Sequence, residues 1–330
     1  REYTDYEEML RKEDLDAVII GTPMHLHTAQ AVAALENNIN VFSEVTAAIS
    51  VDECKKLVKA CGASKAQYMM GENCNYMKPY MMIREMIRDG VFGEVYYAEG
   101  EYLHNCKSLA VSTPWRRDLL YGVDGITYGT HSLGPILSWF EGDRIVEVSC
   151  AGSGHHYKDA KGNDFEQEDT CVMLARTKMG RLIKIRLDIV SNRTYNLKYL
   201  LQGTKGCYDS KRFKNEKDWI WTNELCKEEN PSDTGMPEDT DWLELDGFEE
   251  KYLPEQWRKY GADADVKAHG GADFIIMSDY IDALANGRPV PIDIHKSLDM
   301  TLPGLMSQQS ILKGGEWVKV PDSRQWQAGI

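Results

Sequence analysis

The densest group of reactive side chains lies in residues 115–139, where Arg116, Arg117, Tyr121, Thr127, Tyr128, Thr130 and His131 crowd into one span broken by Gly122, Gly125, Gly129 and Gly134. His131 is the residue there that exchanges a proton near neutral pH without help. After Gly129 the apolar residues Leu133, Ile136, Leu137 and Phe140 recur at helical spacing. Residues 127–131 therefore stand at the mouth of a helix whose far face is core, and such an end favours anions or developing negative charge. The chemistry that suits this span is proton transfer beside a group gaining negative charge.

The elements that must position it follow a clear rhythm. Residues 16–21 read as a short buried strand and 27–36 as an alanine-rich helix. The next strand is 40–44, the next helix 51–61, then a strand at 67–71 and a helix after Pro79. Strands alternating with helices in this way predict a parallel α/β sheet. A first helix over residues 4–13, capped by Thr4, precedes them. Thr22, Pro23, His25, Glu44 and Asn73 fall at or just beyond the carboxyl ends of these strands, where such sheets bind ligands. His25 and His27 lie two apart with no carboxylate beside them, which points to cofactor or packing contacts; no metal site is expected. A dinucleotide-binding domain begins with a strand running into G-x-G-x-x-G. Neither that turn nor its following acid is present, so about two βα units of ~30 residues each are expected to precede this sequence.

From residue 95 strand follows strand (94–103, 145–151, 170–177, 181–189, 195–203 and 207–210), which predicts a second domain with a largely antiparallel sheet. The fold expected is α/β: a Rossmann-type parallel sheet in 1–94 and an α/β domain with a large open, mostly antiparallel sheet in 95–330. Residues 211–265 read as an irregular acidic excursion, a lid or dimer arm, carrying Trp219, Trp221, Trp242 and Trp257. Amphipathic helices at 273–285 and 295–312 and a strand at 317–320 close the chain.

A formal charge of −14 over 330 residues, with no basic stripe, argues against nucleic acid and anionic membranes as partners. No apolar run approaches the ~18–20 residues that span a bilayer. Eight scattered cysteines without paired spacing suit reduced thiols and a cytoplasmic setting, an export signal upstream of this sequence being left open.

Taken in order, 22-Thr-Pro-Met-His-Leu-His-27, 41-Val-Phe-Ser-Glu-44, Asn73, 90-Gly-Val-Phe-Gly-Glu-94, Trp115-Arg116, Gly129-x-His131 and 203-Gly-Thr-Lys-Gly-206 resemble the landmarks of the glucose–fructose oxidoreductase/inositol dehydrogenase/MocA (Gfo/Idh/MocA) family. The resemblance implies a Rossmann domain holding NAD, with NADP left open, and a second domain that binds a sugar and forms a homodimer or homotetramer. The sequence departs from the family at the chemistry. Glu44-Val45-Thr46 replaces Glu-Lys-Pro, and Thr127 stands where Asp-x-Gly-x-His has its aspartate. Glu44-Val45-Thr46, Tyr102-x-His104, Trp115-Arg116, Tyr128-x-Thr130-His131 and His269-Gly-Gly-x-Asp273 are instead similar to the NAD-dependent glycosidases of this superfamily, the α-N-acetylgalactosaminidase group, and to glycoside 3-oxidoreductases.

That branch implies oxidation of a sugar or glycoside at the C3 hydroxyl, ending in redox-neutral bond cleavage or in a 3-keto product. The roles implied are His131, Tyr128, Tyr102 and Arg116 in catalysis and Thr22, Pro23, His25, His27, Glu44, Asn73 and Trp115 around the cofactor, with Glu44 on the nicotinamide ribose. His104, Thr130, Tyr260 and His269 are expected to touch substrate. A phenol titrates near ~10, and a cation such as Arg116 beside Tyr102 or Tyr128 is expected to lower that value. The rival readings are an ordinary sugar or inositol dehydrogenase and an NAD-binding protein that has lost its chemistry.

Overall fold

The computed structural model describes residues 1–119, 124–159, 161–225, 242–264 and 269–327. Tyr121, Gly122 and Cys226 lie outside them. The first part of the chain runs α1 (Tyr6–Lys12), β1 (Ala17–Ile20), α2 (His27–Glu36), β2 (Asn40–Ser43), α3 (Val51–Ala63), β3 (Tyr68–Met70) and α4 (Lys78–Arg88). Next come β4 (Val95–Leu103), α5 (Lys107–Ser112), α6 (Pro114–Leu119), α7 (Thr130–Trp139), β5 (Ile145–Gly152), β6 (Cys171–Thr177), β7 (Leu182–Asp188), β8 (Asn196–Gly203) and β9 (Gly206–Asp209). The remainder is β10 (Trp219–Thr222), β11 (Leu243–Glu244), α8 (Glu249–Tyr252), α9 (Glu255–Tyr260), α10 (Ala272–Ala285), α11 (Ile294–Leu312) and β12 (Val318–Lys319).

Strands β1, β2 and β3 form a parallel three-stranded sheet in that order. The other nine form one sheet, ordered β11-β10-β9-β8-β4-β7-β6-β5-β12. It is mixed, because β4 runs parallel to β7 while its other neighbours pair antiparallel. Two expectations need correcting. Asp5, not Thr4, caps α1, since its carboxylate accepts from the amides of Glu7 and Glu8. Residues 211–265 are not irregular throughout: Trp219 and Trp221 lie on β10, which finds its hydrogen bonds on β9, and Trp257 is buried on α9.

Helix α7 carries His131 and is the structural pivot. It packs on α4, β4, α11 and the 3-10 turn Asn73–Tyr76. Pro135 lies inside it and offers no N–H to the carbonyl one turn back, that of His131. The Tyr199 hydroxyl, from buried β8, donates to that carbonyl instead. Helix α7 is thereby tied to the middle of the large sheet at His131 itself. Close approach to β4 requires glycine at position 100, where a Cβ would meet the Ser132 carbonyl oxygen at 2.5 Å. Gly100→Ala is expected to cost about 1–3 kcal/mol, because a helix backbone and not a pliable side chain must yield; a lowered melting temperature checks this.

Candidate active site

Three chain segments converge on His131. The end of β4 delivers Tyr102, whose ring stacks on the imidazole with centroids 5.2 Å apart and planes 28° from parallel. The approach to α7 delivers Tyr128, edge-on to the imidazole with centroids 5.2 Å apart. The turn after β3 delivers Glu72, whose Oε1 accepts from His131 Nδ1 at 2.8 Å. His104 continues the aromatic wall 6.1 Å from Tyr102, and Tyr195 closes it 5.0 Å from His104.

The electrostatics follow from burial against charge. Burial alone would lower the His131 imidazole; the charge of Glu72, with Cys74 and Tyr128 adding to it, outweighs that and holds it well above its ordinary 6.5. Tyr102 and Tyr128 are both pushed up by burial, with His131 pulling the other way. The expectation that Arg116 lowers these phenols is therefore corrected. Arg116 donates to Thr113 at 2.9 Å and lies over the Trp115 ring at 4.4 Å; the cation acting on the phenols is His131. Burial lowers His104, whose Nδ1 is buried without a partner among the described residues. The Thr127 and Thr130 hydroxyls are buried in the same state at the mouth of α7.

The strand ends of the smaller sheet face this cluster. Glu44 follows β2; surrounding protein raises its carboxyl while the His131 charge lowers it, so the two groups sit within electrostatic reach. Asn73 donates to Asp273 Oδ1 at 2.7 Å, and His269 Nδ1 meets Asp273 Oδ2 at 2.7 Å. The left-handed run His269-Gly270-Gly271 and the start of α10 are thus fastened to the turn that carries Glu72. The Thr22 hydroxyl donates to Gln30 at 2.7 Å, and Pro23 is half-buried beside it. His25 is exposed on its 3-10 turn. His27 is buried, its ring nitrogens 2.9 and 2.8 Å from the carbonyls of Thr46 and Thr22, so it clasps the two strand-end turns together. Tyr260 lies farther out, 6.5 Å from Phe274 on α10.

Glu72, Cys74 and Tyr195 are the members that the sequence pattern did not single out. Glu72 was reachable, since the rule that selects Asn73 at a strand end applies equally to its neighbour. Glu72, Cys74 and His131 bring three metal-capable atoms within 4.8 Å of one another. Two ligands on a tetrahedral zinc, at bonds of about 2.0–2.2 Å, stand about 3.3 Å apart. The 2.8 Å between Nδ1 and Oε1 is a hydrogen bond, and the donor set reads as a proton-sharing pair.

A nicotinamide cofactor suits the opposite side of this crevice. Glu44 offers an acceptor for ribose hydroxyls, and Asn73 presents a buried Oδ1 with no partner among the described residues, ready to accept from a donor that arrives. The fold and this site together define an NAD-binding oxidoreductase: residues 1–72 match the family model described as oxidoreductase family, NAD-binding Rossmann fold. Residues 76–327 match the model for the glycosyl hydrolase 109 C-terminal domain. The chain belongs to glycosyl hydrolase family 109, and so to the NAD-dependent enzymes. It is 31% identical over 337 residues to a glycosyl hydrolase family 109 protein of Solibacter usitatus, spanning 96% of this chain and 73% of that one. It is 28% identical over 339 residues to the alpha-N-acetylgalactosaminidase of Shewanella oneidensis, spanning 96% and 71%. In fold it is similar to levoglucosan dehydrogenase solved with NADH and levoglucosan, with a TM-score of 0.74, 17% identity and coverage of 97% and 84%. An oxidoreductase domain protein from Kribbella flavida gives 0.75, 20%, 96% and 84%.

Proposed function

We propose that this enzyme cleaves a glycoside, of the N-acetylhexosaminide class, by a redox-neutral route that begins with oxidation of the sugar C3 hydroxyl. The observation that carries the reading is the acid–base cluster itself: an imidazole stacked on one phenol and edge-on to a second, facing the strand-end carboxylate Glu44. Thr22, Pro23, His25, Glu44, Asn73 and Trp115 would hold NAD, with His27 bracing the turns. A nicotinamide cofactor held there would supply the two-electron oxidation at C3 and, in its reduced form, the hydride that restores the hydroxyl.

The chain's own residues handle the protons. His131 accepts the proton of the 3-hydroxyl through Nε2, the nitrogen that Glu72 leaves free. With a ketone at C3, the C2 proton becomes acidic, and its loss expels the C1 substituent to leave a C1=C2 double bond. Water then adds across it, its hydroxyl to C1 and a solvent proton to C2. The imidazolium left by the first transfer opposes the burial that raises both phenols, so a phenol proton leaves more readily beside it than it would without that charge. The first transfer thus favours the second, which is the work the sequence reading gave to Arg116. Tyr128, edge-on to the imidazole, is the nearer base and acts as the phenolate, its own proton having first been given up, and Tyr102 donates to the enolate oxygen. His104 and Thr130 offer unpartnered atoms to sugar hydroxyls, while Arg116, Tyr260 and His269 would meet the sugar from farther out.

Residues 1–94 act as the cofactor domain and 95–330 as the sugar domain. Period-two burial along β6 and β7 leaves one face of the large sheet half-exposed, the face on which copies of the chain would meet. Among the described residues no helix is long and apolar enough to cross a membrane; a cytoplasmic setting is part of the proposal.

The test is incubation with NAD⁺ and a panel of aryl glycosides in deuterated water, including aryl N-acetylhexosaminides. Aglycone release with deuterium at C2 and no net NADH is expected. Stoichiometric NADH without aglycone release would instead identify an ordinary dehydrogenase, and NAD binding with no deuterium entering any sugar would identify a protein without this chemistry.

A further inference from the structure

The carboxylate behind His131 has no role in the scheme above, yet it is built in with care. Glu72 is fully buried, and its stem lies against Gly134, where a Cβ would come within 2.7 Å of the Glu72 Cγ. Gly134 is one helical turn beyond His131, so the same face of α7 receives both the stem and the carboxylate of this one residue. Oε1 accepts from the backbone amide of Cys74 at 3.2 Å as well as from His131, which fixes the carboxylate's orientation. A carboxylate only accepts, so the His131 proton in this contact sits on Nδ1.

We infer that Glu72 is the positioning residue of the acid–base group: it holds His131 in the Nδ1–H form, with the Nε2 lone pair turned to the sugar. The inference rests on the proposed role of His131 as base. The groups facing the imidazole are Glu72 and Cys74 from the turn after β3, Tyr102 from β4, Tyr128 before α7, Tyr195 before β8 and Glu44 after β2. Glu72 alone among them is both buried and hydrogen-bonded through a carboxylate to the ring. Cys74 Sγ, at 3.6 Å from Nδ1, is a weak second partner. The phenols and Glu44 address the ring from other directions. Loss of Glu72 therefore frees the proton to move to Nε2, where it blocks the base. In serine proteases, an aspartate-to-asparagine change behind the catalytic imidazole leaves the geometry intact and costs about 10⁴-fold in kcat by the same tautomer error.

The experiment is ¹⁵N NMR of the full chain labelled at histidine, with His131 assigned by difference against His131→Asn, beside the kinetics of Glu72→Gln and Glu72→Asp. In the wild type above the imidazole's titration, Nδ1 is expected to carry the proton; an Nε2–H signature overturns the inference whatever the Glu72 variants do. Glu72→Gln is expected to lower kcat about 10²–10⁴-fold with KM little changed, and to move the His131 titration and the acid limb of the rate profile to lower pH. Glu72→Asp is expected to recover part of kcat. An unmoved titration in folded Glu72→Gln assigns the carboxylate to packing alone and overturns the inference. Should the wild type turn over no glycoside, the reading of function fails, while the NMR signature still decides what Glu72 does to the ring.

Discussion

His131→Asn is expected to lower kcat for glycoside turnover by about 10²–10⁴-fold, the range that a positioned general base supplies, while NAD⁺ still binds. Asparagine keeps a polar group near Glu72, so the fold is preserved better than with alanine. A buried carboxylate left with no partner would cost about 1–3 kcal/mol, and Glu72 already has one oxygen, Oε2, buried without a partner among the described residues. The cofactor half of the site is expected to hold, because Glu44 and Asn73 are placed by their own strand ends. Titration of the variant with NAD⁺, followed by single-turnover kinetics, separates the two effects. Unchanged kcat would remove His131 from the reaction and return the choice to Tyr102 and Tyr128. Loss of C2 deuteration together with loss of C3 oxidation is the expected pattern, since the second proton transfer depends on the charge created by the first.

The sequence disclosed the frame of this site more readily than its interior. Helix α2 begins at His27 and ends at Glu36 as its alanine-rich pattern predicts, and α7 opens just after Gly129. Thr22, Glu44 and Asn73 stand out because parallel strands place their ligands at one end, a rule that needs only local information. The pairing of Glu72 with His131 joins residues 59 apart, and no spacing along the chain signals it. Tyr195 reads as the first residue of a strand and is instead a wall of the crevice, because its neighbours on β4 come from about 90 residues earlier. The assignment of Arg116 to the phenols failed for a related reason. A motif records that an arginine is present but not which way a six-residue helix turns it, and α6 turns this one to Thr113. The strand β10 escapes the pattern because it is short and flanked by charged residues; its stability comes from β9, which periodicity within a four-residue window cannot reveal.

One group is expected to drive activity and stability in opposite directions with pH. Burial lowers the His131 imidazole, but Glu72, Cys74 and Tyr128 more than compensate, so its folded value lies well above 6.5. As a base His131 must be unprotonated, so kcat/KM is expected to fall about tenfold per pH unit below that raised value. The acid limb thus lies at higher pH than an ordinary histidine would give. The stability sign is the reverse. A raised folded value means that the native state holds the proton more tightly than the unfolded chain does, so the contribution is full below about 6.5. It is lost as pH rises through the folded value. The melting temperature of the wild type relative to His131→Asn should therefore be most favourable on the acid side and decline over the same interval in which turnover rises. Burial pushes Tyr102, Tyr128 and Tyr195 upward in the free protein, so none of the three sets the acid limb. Burial raises the Glu44 carboxyl above its ordinary value, with the His131 charge opposing it. A rate profile and a stability profile that cross in this way point to the imidazole, since a carboxylate lowered by a salt bridge would lose stability as pH falls. Profiles that rise and fall together would show that some other group sets the acid limb.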